Sequence, residues 1–177
     1  PVPRLSPSTA KEALGIMIRP DGDMKDEFKY LQKKIAKWCD SIRTKRLKPS
    51  EAWYCLNATI MKTIEYPLTA TTFTRNQIDE LMAPIRKTAL NLFNVQSRPP
   101  HKLTYGTVER RGLGIRDPYQ LQLIFHLQSI LRHAHMDTPS NDLHAKNMDL
   151  TQIYVGSSVP FWELPYPTYG SLAPNGW

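Results

Sequence analysis

The densest chemistry in the sequence is cationic. Between Met24 and Lys48 stand Lys25, Lys29, Lys33, Lys34, Lys37, Arg43, Lys45, Arg46 and Lys48, opposed only by Asp26, Glu27 and Asp40, a net +6 in a chain whose total is +7. Ammonium and guanidinium groups at this density suit phosphates and other polyanions. The same composition also describes a lysine face that simply keeps a helix solvated, and composition by itself does not separate the two. A second block, Ser97–Arg116, sets Arg98, Lys102, Arg110, Arg111 and Arg116 against Glu109, a net +4, while the segment from Asp137 onward is −3. The stretches 1–23, 49–96 and 117–136 are each neutral. A fold that brings both basic blocks to one face makes an electrostatic groove.

Other candidate centres point away from catalysis. Asp21 and Asp23 flank Gly22 after Pro20, which is turn chemistry rather than a metal pair. His126, His133, His135 and His144 cluster, yet His-x-His on a helix sets its two rings about 200° apart, and no cysteine pair helps to complete a zinc site. Gly112-x-Gly114 has Asp117 where a dinucleotide fingerprint needs a third glycine. It reads instead as a tight backbone approach to the following helix. No Ser-His-Asp or Cys-His arrangement and no phosphate loop is assembled, so neither catalytic residues nor a metal or other cofactor are expected. Tyr30, Trp38, Trp53 and Tyr54 could stack on bases, although aromatics on helix stripes usually belong to a core.

These residues need elements to position them. Met24, Phe28, Leu31, Ile35, Trp38 and Ile42 recur in steps of four and three, which predicts one amphipathic helix over Met24–Lys48 with the lysines between the members of its stripe. Ahead of it, Ala13–Ile18 reads as an extended strand ending in the Pro20–Asp23 turn. Behind it, Pro49-Ser50-Glu51 reads as a helix start with Ser50 as cap and Trp53, Leu56, Ile60 and Ile64 on one face, stopped at Pro67. A third helix starts at Thr74, paired with Gln77 in a capping box, and buries Ile78, Leu81, Met82, Ile85, Ala89, Leu92 and Phe93, with a kink or break expected at Pro84. Val95–Tyr105 reads as a connector. Asp117-Pro118 caps and opens a helix to about Met136 so apolar, through Leu121, Leu123, Ile124, Phe125, Leu127, Ile130 and Leu131, that it should lie centrally. One short helical or extended piece is expected at Leu150–Val155. The end, Pro160–Trp177, is a proline- and aromatic-rich tail.

The expected architecture is therefore mainly α, a bundle of four to six helices with a short N-terminal strand and turn and an irregular tail, divided into 1–23, 24–136 and 137–177. At 177 residues, 41% hydrophobic and 22% charged, the chain has the composition of a globular protein. It holds no run of about 18 apolar residues that would span a bilayer, so no membrane partner is expected. Cys39 and Cys55 sit in helical patterns without short-range partners, which suits a reducing compartment and an intracellular protein, whether nuclear, cytoplasmic or organellar.

Leu14-Gly15-Ile16, a long helix holding Trp38, then Ile60-Met61-Lys62-Thr63-Ile64-Glu65-Tyr66-Pro67, then Gly112-Leu113-Gly114-Ile115-x-Asp117 before an apolar helix resemble a known series. It is similar to the region following the catalytic palm in reverse transcriptases of non-long-terminal-repeat retroelements, over about Ala13 to Arg132. The resemblance implies a thumb-like helical piece: Leu14, Gly15 and Ile16 belong to a primer-grip-like strand, and the basic helix tracks the phosphates of a template–primer duplex. The candidate contacts are Lys25, Lys29, Lys33, Lys37, Arg43, Lys45, Arg46, Lys48, Arg110, Arg111 and Arg116. Ala13 stands where the family has an aromatic residue, and Arg111 replaces the first glycine of its double glycine. The family's magnesium-binding aspartates belong to a palm that would precede Pro1, so the chain is expected to be non-catalytic. Its expected partners are an RNA or RNA–DNA duplex and the palm and fingers of the same polymerase. A retroelement-derived adaptor docking into a larger protein or ribonucleoprotein assembly is the alternative, recognised by whether Phe28, Leu31, Ile35 and Trp38 face outward.

Overall fold

A computed structural model describes residues 6–93, 95, 99–134 and 136–169. Pro1–Leu5 of the lead-in, Arg98 of the second basic block, His135 of the histidine cluster and the last eight residues of the tail lie outside the described residues. The chain is mainly helical with one short antiparallel sheet, and it divides into two compact units, residues 1–122 and 123–177.

The first unit opens on a hairpin rather than the single strand expected. Strands β1 (Lys11–Ala13) and β2 (Ile16–Ile18) pair antiparallel with Ala13 opposite Ile16. Leu14 and Gly15 form the two-residue turn, both at positive φ, +52° and +82°. Two-residue hairpin turns of this hand need positive φ at both centres, which Gly15 adopts freely and Leu14 adopts at a cost of about 1 kcal/mol. Leu14 is therefore at a tip, 89% exposed, while Ile16 turns inward and is buried. The Tyr66 hydroxyl donates to the Leu14 carbonyl at 2.8 Å and steadies the tip. In the following turn Arg19 reaches Asp21, Asp23 and Asp26. The Asp23 and Lys25 backbone N–H groups donate to Asp21 and Asp23, and these bonds hold both carboxyls below the ordinary aspartate range.

Helix α1 (Lys25–Thr44) buries Leu31, Ile35, Cys39 and Ile42 against α4 (Arg75–Leu92). Phe28 and Trp38 are half-buried at the edges of this seam, Phe28 edge-on to Phe73 with ring centroids 5.9 Å apart and Trp38 donating its indole N–H to Thr59 at 2.8 Å. Glu27 is the departure. It lies beneath the hairpin, 1% exposed, where its carboxylate accepts the Met17 backbone N–H at 2.6 Å. Charge counting grouped it with the carboxylates that oppose the lysines, but helical phase puts residue 27 one turn before Leu31, inside the stripe.

The second helical run is continuous but not uniform. It begins at Pro49, not Ser50: Lys48 is the cap residue, Pro49 takes the first helical position, and the Glu51 carboxylate accepts the Lys48 N–H at 2.9 Å. Helix α2 (Pro49–Cys55) passes through a π-helical segment, Leu56–Ile60, where the Met61 N–H reaches back five residues to the Leu56 carbonyl, into α3 (Met61–Glu65). Leu56, Ile60 and Ile64 are buried, Trp53 packs on Phe93 at 5.6 Å, and a 3-10 turn at Tyr66–Thr69 ends the run at Pro67. Thr74 and Gln77 form the expected capping box for α4, whose buried face holds Ile78, Leu81, Met82, Ile85 and Ala89, joined by Thr88 and Leu90, with Leu92 and Phe93 half-covered. Pro84 sits inside this helix without splitting it. The connector contains one helical turn, α5 (His101–Tyr105).

Helix α6 (Pro118–His133) does not lie centrally. Pro118 and Gln122 are its only buried residues, while Leu123, Ile124, Leu127 and Leu131 are exposed. Apolar residues wrapping more than half a helix designate no single face, so the expectation of a central position had no phase behind it. The second unit continues with α7 (Pro139–Val155), far longer than the piece expected at Leu150–Val155. Thr138 accepts the Asn141 N–H at its start, and Gly156, at φ +66°, ends it. A 3-10 turn at Phe161–Glu163 and the short helix α8 (Tyr166–Tyr169) follow.

Burial holds the Glu27 carboxyl above the ordinary glutamate range despite the Met17 N–H. A raised folded pKa means that the associated stability is full below the unfolded value of about 4.3 and is lost as pH rises through the folded value. Glu27→Gln keeps an acceptor for Met17 without the buried charge. The variant should melt like the parent at pH 3 and above it at pH 7 in thermal unfolding followed by circular dichroism. A lower melting temperature at pH 7 would mean that the charged hydrogen bond outweighs desolvation.

Candidate nucleic-acid interface

The outer side of α1 is a cationic ridge. Lys25, Lys29, Lys33 and Lys37 follow at intervals of four and are all exposed. Successive members are about 6 Å apart along the axis. At about 100° per residue, Lys29 and Lys33 come out nearly opposite the Leu31–Ile35–Ile42 seam. Among the described residues no carboxylate lies within ion-pair distance of Lys29, Lys33 or Lys37, and Lys25 meets Asp23 at 3.3 Å while remaining 77% exposed. Lys34 leaves the ridge and lies 4.1 Å over the Tyr30 ring. Asp40 shares this outer surface, paired with Arg43 at 3.7 Å. Arg43 also donates to Thr88 at 3.3 Å, so it belongs to the α1–α4 edge as much as to the ridge. Lys45, Arg46 and Lys48 are exposed in the link between α1 and α2.

The glycine-turn cations are positioned by a polar clamp that motif reading missed. Arg75 at the start of α4 contacts Asp117 at 2.7 Å, Asp79 at 3.2 Å and the His101 ring nitrogen Nδ1 at 3.1 Å. Arg86 donates to the Tyr105 hydroxyl at 2.8 Å. Burial pushes the Tyr105 phenol up against the opposing pull of that guanidinium. Asp117 is buried, pairs with Arg75 and also accepts the Tyr119 N–H, so one carboxylate both caps α6 and ties it to α4. Between them runs Gly106 to Ile115, where the Leu113, Gly114 and Ile115 N–H groups donate to the Leu103, Gly106 and Thr104 carbonyls. A Cβ on Gly112 would stand 2.2 Å from the Gly106 carbonyl oxygen, which is why that position has no side chain.

Arg110 and Arg111 project from this turn, exposed and without an ion pair among the described residues. Arg111 holds a left-handed backbone, φ +61°, a conformation that favours glycine. Arg116 is committed: its Nε lies 3.2 Å from Glu65, a buried carboxylate that Lys62 also meets at 2.9 Å. Leu14 and Gly15 are the hairpin tip beside Tyr66, and Ile16 is core.

Among the described residues no hydrogen bond or ion pair joins the two basic clusters. On α4, the side chains hydrogen-bonded to α1 are those of Glu80 and Thr88, and those that hold the glycine turn are Arg75, Asp79 and Arg86. These edges are roughly 160° apart around the helix. Among the described residues the lysine ridge and the Arg110–Arg111 turn therefore lie at different edges of α4, and the uninterrupted row of exposed cations is the ridge of α1.

Among the described residues no group of three or more histidine, cysteine, aspartate or glutamate side chains is disposed to hold a metal ion; the His133 and His144 rings lie 6.2 Å apart without further partners of that kind. No described helix is long and apolar enough to cross a membrane. No family model, curated protein or solved structure matches the chain.

Two substitutions separate backbone demands from charge in the glycine turn. Arg111→Gly should raise unfolding stability by about 1 kcal/mol by relieving left-handed strain. Gly112→Ala should lower it by about 2 kcal/mol or more because the new methyl meets backbone, not a flexible side chain. Urea unfolding of both variants reads the two effects.

Proposed function

We propose that the 1–122 unit binds an RNA or RNA–DNA duplex through its sugar–phosphate backbone, as a non-catalytic, thumb-like piece of a retroelement reverse transcriptase working inside the cell beside that polymerase's palm and fingers. One observation carries the reading. The cations of α1 stand in an exposed row, Lys25, Lys29, Lys33 and Lys37, on a helix whose opposite face is fully engaged with its own chain. A rigid row of solvated ammonium groups without base-reading side chains suits backbone contacts that carry no sequence preference. The left-handed backbone at Arg111, where the resembled family carries glycine, supports the same reading, whereas Leu14 and Gly15 form a turn and not the primer-grip-like strand that the resemblance implied.

The adaptor alternative loses its original signature. Leu31 and Ile35 are buried within this chain, and Phe28 and Trp38 are half-buried with partners. What favours a docking role is a different surface, the exposed aliphatic residues of α6 and α7.

Replacing Lys29, Lys33 and Lys37 together by glutamate should weaken binding to a short RNA–DNA heteroduplex at least a hundredfold at low ionic strength, or about 3 kcal/mol, and should reduce the slope of log affinity against log salt by about 3. The melting temperature should hardly move, because exposed charges contribute little to stability. Fluorescence anisotropy across a salt series measures this. Wild-type binding that is absent or insensitive to salt would remove the proposal, and an unaffected triple variant would move the interface off α1.

A further inference from the structure

The second unit presents a problem of burial. Among its described residues none is buried, while Leu123, Ile124, Leu127, Leu131, Met136, Leu143, Leu150, Ile153, Tyr154, Val159 and Trp162 are all exposed large apolar side chains. At roughly 100 Å² left uncovered on each, they leave on the order of 1,000 Å² of apolar surface in water. Scattered apolar residues need no explanation, but a unit in which no described residue is buried does.

The exposed residues of α6 are ordered. Ile124, Leu127 and Leu131 follow in steps of three and four, the spacing of a helix–helix seam, with Leu123 beside them. From Pro118 to Leu131 this helix carries no aspartate, glutamate, lysine or arginine, whereas residues 1–122 carry a net +9. The basic 1–122 units of two copies repel each other, and α6 is where copies can meet without like charges facing. A surface that is uncharged and aliphatic is also complementary to itself. An antiparallel pair with its twofold axis near Leu127 sets Ile124 of one copy against Leu131 of the other.

We propose that the α6 face is a self-association surface that takes a second copy of this chain. Leu123, Ile124, Leu127 and Leu131 together expose roughly 400 Å², about half of the ~800 Å² that each partner gives to a standard interface, which suits a weak, concentration-dependent pair. This is independent of duplex binding and responds oppositely to salt. Screening weakens the repulsion between two +7 chains and leaves apolar burial intact, so salt should promote pairing while it releases nucleic acid.

Sedimentation equilibrium of the full chain at about 100 µM, in about 50 mM and about 500 mM salt, tests it. The expected result is a species of twice the 20.4 kDa chain mass, at least as populated in high salt. The double variant Leu127→Gln, Leu131→Gln should raise the dissociation constant at least tenfold with an unchanged helical circular-dichroism spectrum, since both positions are exposed in the single chain. The Lys29→Glu, Lys33→Glu, Lys37→Glu variant should still pair. A monomer at both salt concentrations, a dimer that the double variant leaves intact, or a dimer that salt dissociates would each overturn the proposal.

Discussion

The contact between α1 and α4 sets the rotation of the basic helix, and that rotation decides where its charges go. Leu31, Ile35, Cys39 and Ile42 fill the seam on one side, and Gln32 and Arg43 reach across its edges to Glu80 and Thr88. Turning α1 by a single residue, about 100°, would swing lysines toward the apolar partner, where each desolvated ammonium costs several kcal/mol. Burial of the aliphatic stripe and solvation of the lysine ridge are thus one constraint seen from two sides. The hairpin adds a second stop: Glu27 faces inward because Met17 needs its backbone N–H satisfied there.

A different economy governs the far side of α4. There the chain is held by polar contacts and by close backbone approach. Arg75 and Asp117 clamp the start of α6, the Gln122 amide makes two hydrogen bonds to the Phe73 backbone at 2.9 and 3.0 Å, and Gly112 lies against Gly106 where no Cβ fits. The Arg75–Asp117 and Gln122–Phe73 groups satisfy each other pairwise, which favours one arrangement of the segment over several. Glu65 extends the pattern by engaging both Lys62 and Arg116, which takes one cation out of the set that composition assigned to solvent.

Elements with a clear phase or a local cap were legible in the sequence. The stripe of α1, the Thr74–Gln77 capping box and the Asp117–Pro118 start all stand where residue types place them, because each rests on neighbours within one or two turns. Long-range satisfaction was not legible. Nothing near Glu27 announces that a strand ten residues earlier will use its carboxylate, and Gln122 in an apolar helix looks like a solubilising residue until Phe73 is seen beside it. The extent of α7 was missed although Thr138-Pro139 and Gly156 mark both ends, since the low amphipathicity between them hid the helix. Lysine content located the charged surface, but charge counting could not say that the glycine-turn arginines lie on another flank of α4.

The π segment at Leu56–Ile60 has a consequence for how this region can vary in length. It accommodates one residue more than an α-helix of the same rise, and the surplus is absorbed where Thr59 both accepts from Trp38 and donates to the Cys55 carbonyl. Losing a residue there would regularise the hydrogen bonds and leave the flanking helices in place, whereas winding all the same residues as α-helix would lengthen the run by about 1.5 Å and rotate everything downstream by about 100°. Glu65 would then turn from Arg116 and Tyr66 from the Leu14 carbonyl, so the irregular turn, rather than the regular helix around it, keeps the hairpin and the glycine turn in register with the bundle.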